Sequence, residues 1–367
     1  MTQQFHCIMP MLEGEIGHIY QYNLSIEASV RKLGWKFIGY VPANVSIENL
    51  PYNWEKTLPK DTWQQKKRFN QKIHLLIQNI FSYRAIFKKA SKNNSIIFLE
   101  HFSLIHLLAI FAAICFSRSN ISLWLLHRYF PSGKKKYLLR LIHWGFSFFL
   151  GRKNVKLFTD SELLSQKLQI IFDKKVVVLP IPHAKIPLVS HKQSQKINLW
   201  WPGGSIRQEK GIHEITKVIH ELPYENFQLI LAKKAKETLY CTSDSIVWIP
   251  TELTRKEYEK WMNTADFILL PYDPKTYALG TSGIFVEAIL AQKLPIVKEG
   301  SWLAHELKRF NLNDLIIDWD KGPILSQLEP LLHKKEIHEK LMKMHSAYAS
   351  YHCLENISGI FKSLIDH

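Results

Sequence analysis

Two stretches of this sequence carry residue types at spacings that suit a bound diphosphate. The first is Gly203-Gly204-Ser205-Ile206-Arg207-Gln208-Glu209-Lys210-Gly211, set between the apolar run INLWW and a segment of helical periodicity. Paired glycines let backbone come close to a ligand, and the start of a helix offers unbonded N–H groups at the positive end of its dipole. Arg207 and Lys210 add cationic donors. The second stretch is Leu270-Pro271-Tyr272-Asp273-Pro274, then Tyr277, then Gly280-Thr281-Ser282-Gly283-Ile284-Phe285-Val286-Glu287-Ala288. A strand ends at Leu270, a proline-braced loop follows, and Thr281 or Ser282 can cap a helix whose free N–H groups serve a second phosphate. Glu287 lies between one and two turns into that helix, where a carboxylate can accept two hydrogen bonds from a ribose diol. The plain alternatives are a strand-to-helix turn with solvated charges and an exposed helix glutamate. Asp318-Trp319-Asp320 has the form that holds Mg²⁺ or Mn²⁺ on a diphosphate in other folds, but it sits before a Gly-Pro turn, where a solvated turn is expected. There is no G-x-x-x-x-G-K-[ST], H-E-x-x-H or G-x-S-x-G, so ATPase, zinc protease and serine hydrolase readings lack support.

The elements that must position these residues alternate between strand and helix. FHCIMP, WKFIGYV, SIIFLE, ISLWLL, VKLFT and KVVVLP read as strands, separated by helical segments at Tyr20–Leu33 and near 62–91, 103–117, 134–150 and from Asp160/Ser161 onward. A second series runs INLWW, helix 211–221, FQLILA, helix 233–241, SIVWI, helix 254–263, ADFILL, helix 281–292 and LPIV. Two such blocks in 367 residues predict an α/β protein of two doubly wound, Rossmann-like domains facing across a cleft. The boundaries are 1–180 for the first domain, 181–195 for a Pro-rich polar linker and 196–345 for the second. Residues 346–367 are a C-terminal helix, a candidate for packing back on the first domain.

The spacing G-x-x-R-x-E-K-G and the later S-G-I-F-x-E-A-x-x-A-x-K-x-P-I-V resembles the retaining group 1 and family 4 glycosyltransferases of the GT-B fold. NTADFILLPYDP and the pair LFTDSELLSQKL and VVVLPIP are similar to further segments of that family, and the resemblance is clearest over residues 155–300. It implies transfer of a sugar from a nucleotide diphosphate sugar to a glycan or lipid-linked acceptor, as in polysaccharide or lipopolysaccharide assembly, with no cofactor and no metal. Arg207 and Lys210 would then hold the departing diphosphate and Glu287 the ribose, with Gly204, Thr281 and the amides of Ser282, Gly283 and Ile284 facing the phosphates. Gly14 and Gly17, in LEGEIGH after the first strand, match the family's glycine loop. His101, in IIFLEHFS, matches a histidine that touches the donor sugar, with His127 as its competitor. The sequence departs from the pattern at Leu279, where many members carry a sugar-facing glutamate, and Tyr272 and Asp273 are the candidates to replace it.

The net charge of +16 favours anionic partners. No acidic residue lies between Glu100 and Asp160, while Arg118, Arg128, Lys134, Lys135, Lys136, Arg140, Arg152, Lys153 and Lys156 do, which predicts a local basic surface. Its aromatic part, within 127–153, is a candidate for the surface of an anionic membrane, against the alternative of a core-facing helix with a solvated basic end. The most apolar run, Leu104 to Phe116, is short of the roughly 20 residues needed to span a bilayer. Four scattered cysteines and an N-terminus without signal-peptide character suit a cytoplasmic protein, membrane-associated on the inner face if the basic stretch binds lipid. Nucleic acid is not expected as a partner, because the basic stretch carries no recognisable nucleic-acid motif. Two other classes remain: a catalytically silent protein of the same fold that binds nucleotide or membrane as an assembly factor, and a nucleotide-sugar hydrolase or epimerase.

Overall fold

A computed structural model describes residues 3–15, 17–61, 68–91, 95–116, 121–131, 133–182, 184, 186–187, 196–202, 206–224, 226–241 and 243–366. The chain divides into two compact units, Met1–Pro180 with Leu354–His367, and Ile181–Cys353.

The first unit opens with β1 (Gln4–Ile8), α1 (His18–Lys32), β2 (Lys36–Pro42), β3 (Trp54–Leu58), α2 (Phe69–Ala90) and β4 (Ser95–Leu99). It continues with α3 (Leu104–Cys115), β5 (Ile121–Leu126), α4 (Lys135–Leu150), β6 (Val155–Thr159), α5 (Glu162–Phe172) and β7 (Val176–Val178). The strands are parallel in the order β3-β2-β1-β4-β5-β6-β7. Central strands of such a sheet are covered on both faces, which is why β4 is an unbroken buried run. Strand β3 falls where the sequence predicts only a loop. It pairs with β2 from Gly39 onward, and its buried Trp54 donates its indole N–H to Glu27 Oε2 at 2.7 Å.

The second unit holds β8 (Ile197–Trp200), α6 (Ile212–His220), β9 (Phe227–Ala232), α7 (Lys236–Leu239), β10 (Ile246–Ile249), α8 (Arg255–Thr264) and β11 (Phe267–Leu270). After them come α9 (Pro274–Tyr277), α10 (Gly283–Leu290), β12 (Leu294–Lys298), α11 (Trp302–Arg309), β13 (Ile316–Ile317), α12 (Leu325–His333) and α13 (Lys335–Tyr351). Its strands are also parallel, in the order β10-β9-β8-β11-β12-β13. The fold class is therefore α/β, with two doubly wound parallel sheets of 7 and 6 strands among the described residues.

The chain returns to the first unit at Leu354, in α14 (Leu354–Ser363), which packs along α1. Phe361 places its ring 5.5 Å from Phe5, 5.3 Å from Trp124 and 6.2 Å from Phe98, inside the first unit's core. The Ser358 hydroxyl donates to the Ser29 carbonyl at 2.9 Å. A helix from the far end of the sequence thus supplies part of a core laid down by the first half.

Candidate functional site

In each sheet the winding reverses between two neighbouring strands, and the crevice outside their carboxyl ends is where doubly wound sheets take ligands. In the second unit those strands are β8 and β11, which pair directly, and the two stretches singled out in the sequence follow them. Gly203, Gly204 and Ser205 lie outside the described residues. Beyond them, Arg207 is exposed and sits 3.4 Å from Glu209 Oε1, and Gln208–Lys210 form one tight 3₁₀ turn.

Three contacts pin the two loops to each other. The Asp273 amide donates to the Glu209 carbonyl at 2.9 Å, and the Lys210 ammonium stands 5.9 Å over the centre of the Tyr272 ring. Gly211 has φ +82°, and a Cβ there would lie 2.3 Å from the Pro271 carbonyl oxygen, so both its backbone shape and its closeness to Pro271 demand glycine. Below the turn, the Trp201 indole donates to the Lys210 carbonyl at 3.2 Å. Burial lowers the Lys210 pKa to about 8, with Arg207 contributing and Glu209 opposing. An ammonium held short of water and beside another cation is one that an incoming anion stabilises.

On the second loop, Tyr272 is buried with its ring 4.5 Å from that of Tyr277. Burial raises its hydroxyl pKa, against a hydrogen bond with Ser282. Asp273 caps α9: one oxygen accepts from the Lys275 amide at 3.1 Å and the other from the Thr276 hydroxyl at 3.1 Å. Ser282, rather than Thr281, caps α10, accepting from the Phe285 amide at 3.3 Å. Gly283 and Ile284 are thus the first two residues of α10, half-buried like Thr281.

Glu287 is not the exposed helix residue of the plain reading; it is 6% exposed. Arg255 Nη1 donates to its Oε1 at 2.8 Å and the Tyr258 hydroxyl to its Oε2 at 2.6 Å, both from α8. Burial raises the Glu287 pKa, and the bonds from Tyr258 and Arg255 oppose that shift. Each oxygen keeps a second lone pair for a ligand hydroxyl. Neither Arg255 nor Tyr258 was among the sequence candidates. The signal available was the Thr254/Glu257 capping box that starts α8, which fixes where the helix begins but not which carboxylate its face meets.

In the first unit the reversal falls between β1 and β4. After β1, Gly14 makes a parallel bridge to Ser46 in the loop after β2, and Gly17, at φ +97°, precedes the first residue of α1. After β4 come Glu100 and His101. His101 is buried in the left-handed region (φ 49°), which costs a non-glycine residue about 1 kcal/mol or more. Its ring packs edge-on to Tyr129, and burial, with Arg128 and His106, lowers its pKa to about 3, so it is neutral at pH 7. His101, Arg128, Tyr129 and Lys135 share a pocket of about 300 Å³ with the competitor His127, whose ring meets Phe102 edge-on and lies tilted against Phe172. Arg128, counted with the basic surface in the sequence, is instead largely buried: it bonds Glu100 at 2.8 Å and Asp160 at 2.6 Å and lies over the Tyr22 ring. This ion triad joins the ends of β4, β5 and β6. Asp318-Trp319-Asp320 forms a turn in which Trp319 is buried, donating to the Val297 carbonyl, and Asp320 pairs with Lys217.

No protein-family model and no curated protein matches this sequence. Solved structures do match along its whole length. Sucrose-phosphate synthase from Thermosynechococcus elongatus is 12% identical with a TM-score of 0.66, covering 99% of this chain and 98% of that one. The trehalose-6-phosphate protein from E. coli, bound with UDP-2-fluoro glucose, is 10% identical with a TM-score of 0.66, covering 98% of each. The fold is GT-B. The GT-B likeness includes UDP-GlcNAc 2-epimerase from Neisseria meningitidis, bound to UDP-GlcNAc, at 11% identity and a TM-score of 0.59, covering 99% of each chain. At these identities the GT-B assignment concerns the fold alone.

Proposed function

We propose that this GT-B chain transfers a sugar from a nucleotide diphosphate sugar to a glycan or glycolipid acceptor, without a metal ion and with retention at the anomeric carbon. The observation that supports this most is the pinned pair of loops at the β8/β11 reversal, which holds Lys210 over Tyr272, itself hydrogen-bonded to Ser282 at the cap of α10. In the reaction the bond from the anomeric carbon to the diphosphate oxygen breaks and one to the acceptor oxygen forms, and the hydroxyl proton leaves with the diphosphate. Negative charge therefore grows on the leaving group. Arg207, Lys210 and the amides of Ser282, Gly283 and Ile284 stabilise it, and the partial burial of Lys210 strengthens that interaction relative to water. Glu287, oriented by Arg255 and Tyr258, receives the ribose hydroxyls on its remaining lone pairs. With leucine at 279, the sugar hydroxyls fall to Tyr272, Asp273 and nearby backbone. In the first unit, neutral His101 and its pocket serve as a hydrogen-bonding contact rather than as an acid.

Two of the similar structures, both UDP-GlcNAc 2-epimerases, are the ground for a second reading, an epimerase or hydrolase acting on the same donor. Incubating the nucleotide sugar that binds with simple glycosides, and following the anomeric signal by NMR, separates them. The transferase reading expects a new glycoside of unchanged anomeric configuration that forms only with acceptor present. Free sugar or an epimerised nucleotide sugar made without acceptor would replace it with the second reading.

A further inference from the structure

The excess charge of this chain comes from one segment. Residues 62–159 hold 17 of the 48 Lys and Arg but one of the 32 Asp and Glu, namely Glu100, which is buried against Arg128. The remainder holds 31 of each, so all of the +16 arises here.

The helices of that segment also expose apolar side chains in register. On α4, Tyr137, Leu141, Trp144 and Phe148 recur at the spacing of one helical face, with Trp144 65% and Phe148 69% exposed and their rings stacked 5.6 Å apart. The opposite side of α4 is fixed inward. Ile142 and Phe146 are buried, and Gly145 sits so close to α3 that a Cβ would lie 2.3 Å from the Phe111 ring. The helix cannot rotate to hide its aromatic face. Lys134, Lys136 and Arg140 border that face and are exposed. On α2, Phe69, Ile73, Ile77 and Phe81 repeat the arrangement, with Phe69 75% exposed, beside Arg68 and Lys72. Both helices pack on α3. Apolar stripes of this kind, bordered mainly by cations, differ from the scattered exposed residues of an ordinary soluble surface.

Beside Trp144 and Phe148 opens a pocket of about 340 Å³ lined by Arg140, Arg152, Lys174 and His143, with Asp173 as its acidic member. The Lys174 ammonium donates to the Arg152 carbonyl at 2.7 Å, and Asp173 lies 3.9 Å from Arg152. His143 is 5% exposed, yet neither ring nitrogen has a hydrogen-bond partner among the described residues.

We infer that the α2 and α4 face of the first unit lies on an anionic lipid bilayer, with its aromatic side chains in the interface and a lipid phosphate in the pocket beside Trp144. Aromatic rings gain by entering the interface, while the cations meet head groups. A second copy of this chain is a poorer occupant, because two such faces would bring like charge against like. The proposal does not depend on the sugar-transfer reading.

Co-sedimentation with vesicles tests it, using phosphatidylcholine alone and phosphatidylcholine mixed with phosphatidylglycerol. The expected result is binding to the anionic vesicles at least about tenfold tighter than to the neutral ones, weakened by salt. Replacing Lys136→Gln and Arg140→Gln is expected to weaken it by about fivefold per charge. The double change Trp144→Ser and Phe148→Ser is expected to abolish it. Far-ultraviolet circular dichroism and the thermal transition of the first unit, measured on the same variants, establish that they fold. Equal binding to both vesicles, or folded variants that bind like the wild type, would overturn the proposal. So would a dimer, seen by light scattering, that the aromatic changes dissociate without any binding to vesicles.

Discussion

Lys210 carries the sharpest consequences at the scale of single residues. Its pKa is lowered to about 8 from an ordinary 10.5, chiefly by burial. Between those two values the unfolded chain holds a proton that the folded one does not, so this group's contribution to stability rises with pH through that window. Below it, the fold carries the full cost of a partly desolvated ammonium. Lys210→Met is therefore expected to raise the melting temperature at pH 7 in scanning calorimetry while abolishing nucleotide-diphosphate binding, a trade of stability against function. In the wild type, binding a diphosphate near pH 8 should draw in protons, measurable as a dependence of binding heat on the buffer's ionisation enthalpy; no uptake would contradict the role given to this lysine. For Glu287, truncation to alanine removes the acceptor of the Tyr258 hydroxyl and of Arg255 Nη1, leaving Arg255 its pair with Glu259, and is expected to cost about 2 kcal/mol of stability by denaturant titration. Glu287→Gln keeps a partner for Tyr258 and is expected to lose nucleotide affinity with a smaller loss of fold. Arg207, Lys210 and Glu287 could be picked from sequence because their types and spacing suit a diphosphate and a diol. The clamp from α8 could not, since Arg255 and Tyr258 stand 32 and 29 positions from Glu287 and meet it only through packing. The left-handed backbone at His101 is hidden for the same reason: it follows from how the loop after β4 packs, not from the local sequence.

Among the elements, the close approach of Gly211 to Pro271 holds the loop after β8 against the loop after β11. Gly211→Ala meets both a positive φ and the Pro271 carbonyl, so it is expected to separate the two loops and weaken nucleotide binding about tenfold or more in calorimetry, with the rest of the second unit intact. In the first unit, Phe361→Ala should cost about 3 to 5 kcal/mol, read as a lower denaturation midpoint, because the ring is buried among four other aromatics. The alternation of strand and helix was legible because buried parallel strands read as apolar runs and surface helices keep a 3.6-residue period. Strand β3 was missed because its outward residues Glu55, Lys56 and Thr57 give no apolar run and its flanks are rich in Pro and Asn. The basic stretch was legible as charge, but sequence could not tell that Arg128 points inward to Glu100 and Asp160 while its neighbours on α4 stay in water.

At the scale of the whole molecule, the two units have separate cores, so unfolding is expected in two calorimetric transitions rather than one. A nucleotide that binds at the β8/β11 reversal should raise one of them, by about 2.7 kcal/mol at a hundredfold excess over Kd, and leave the other nearly in place. The most direct test of the central claim is calorimetric titration of UDP, GDP, ADP and dTDP, with their common sugar conjugates, into the wild type and into Lys210→Met and Glu287→Gln. If the β8/β11 reversal is the donor site, one base is selected, Lys210→Met loses binding and Glu287→Gln weakens it. Binding of none of these nucleotides, or binding that both variants retain unchanged, would contradict it.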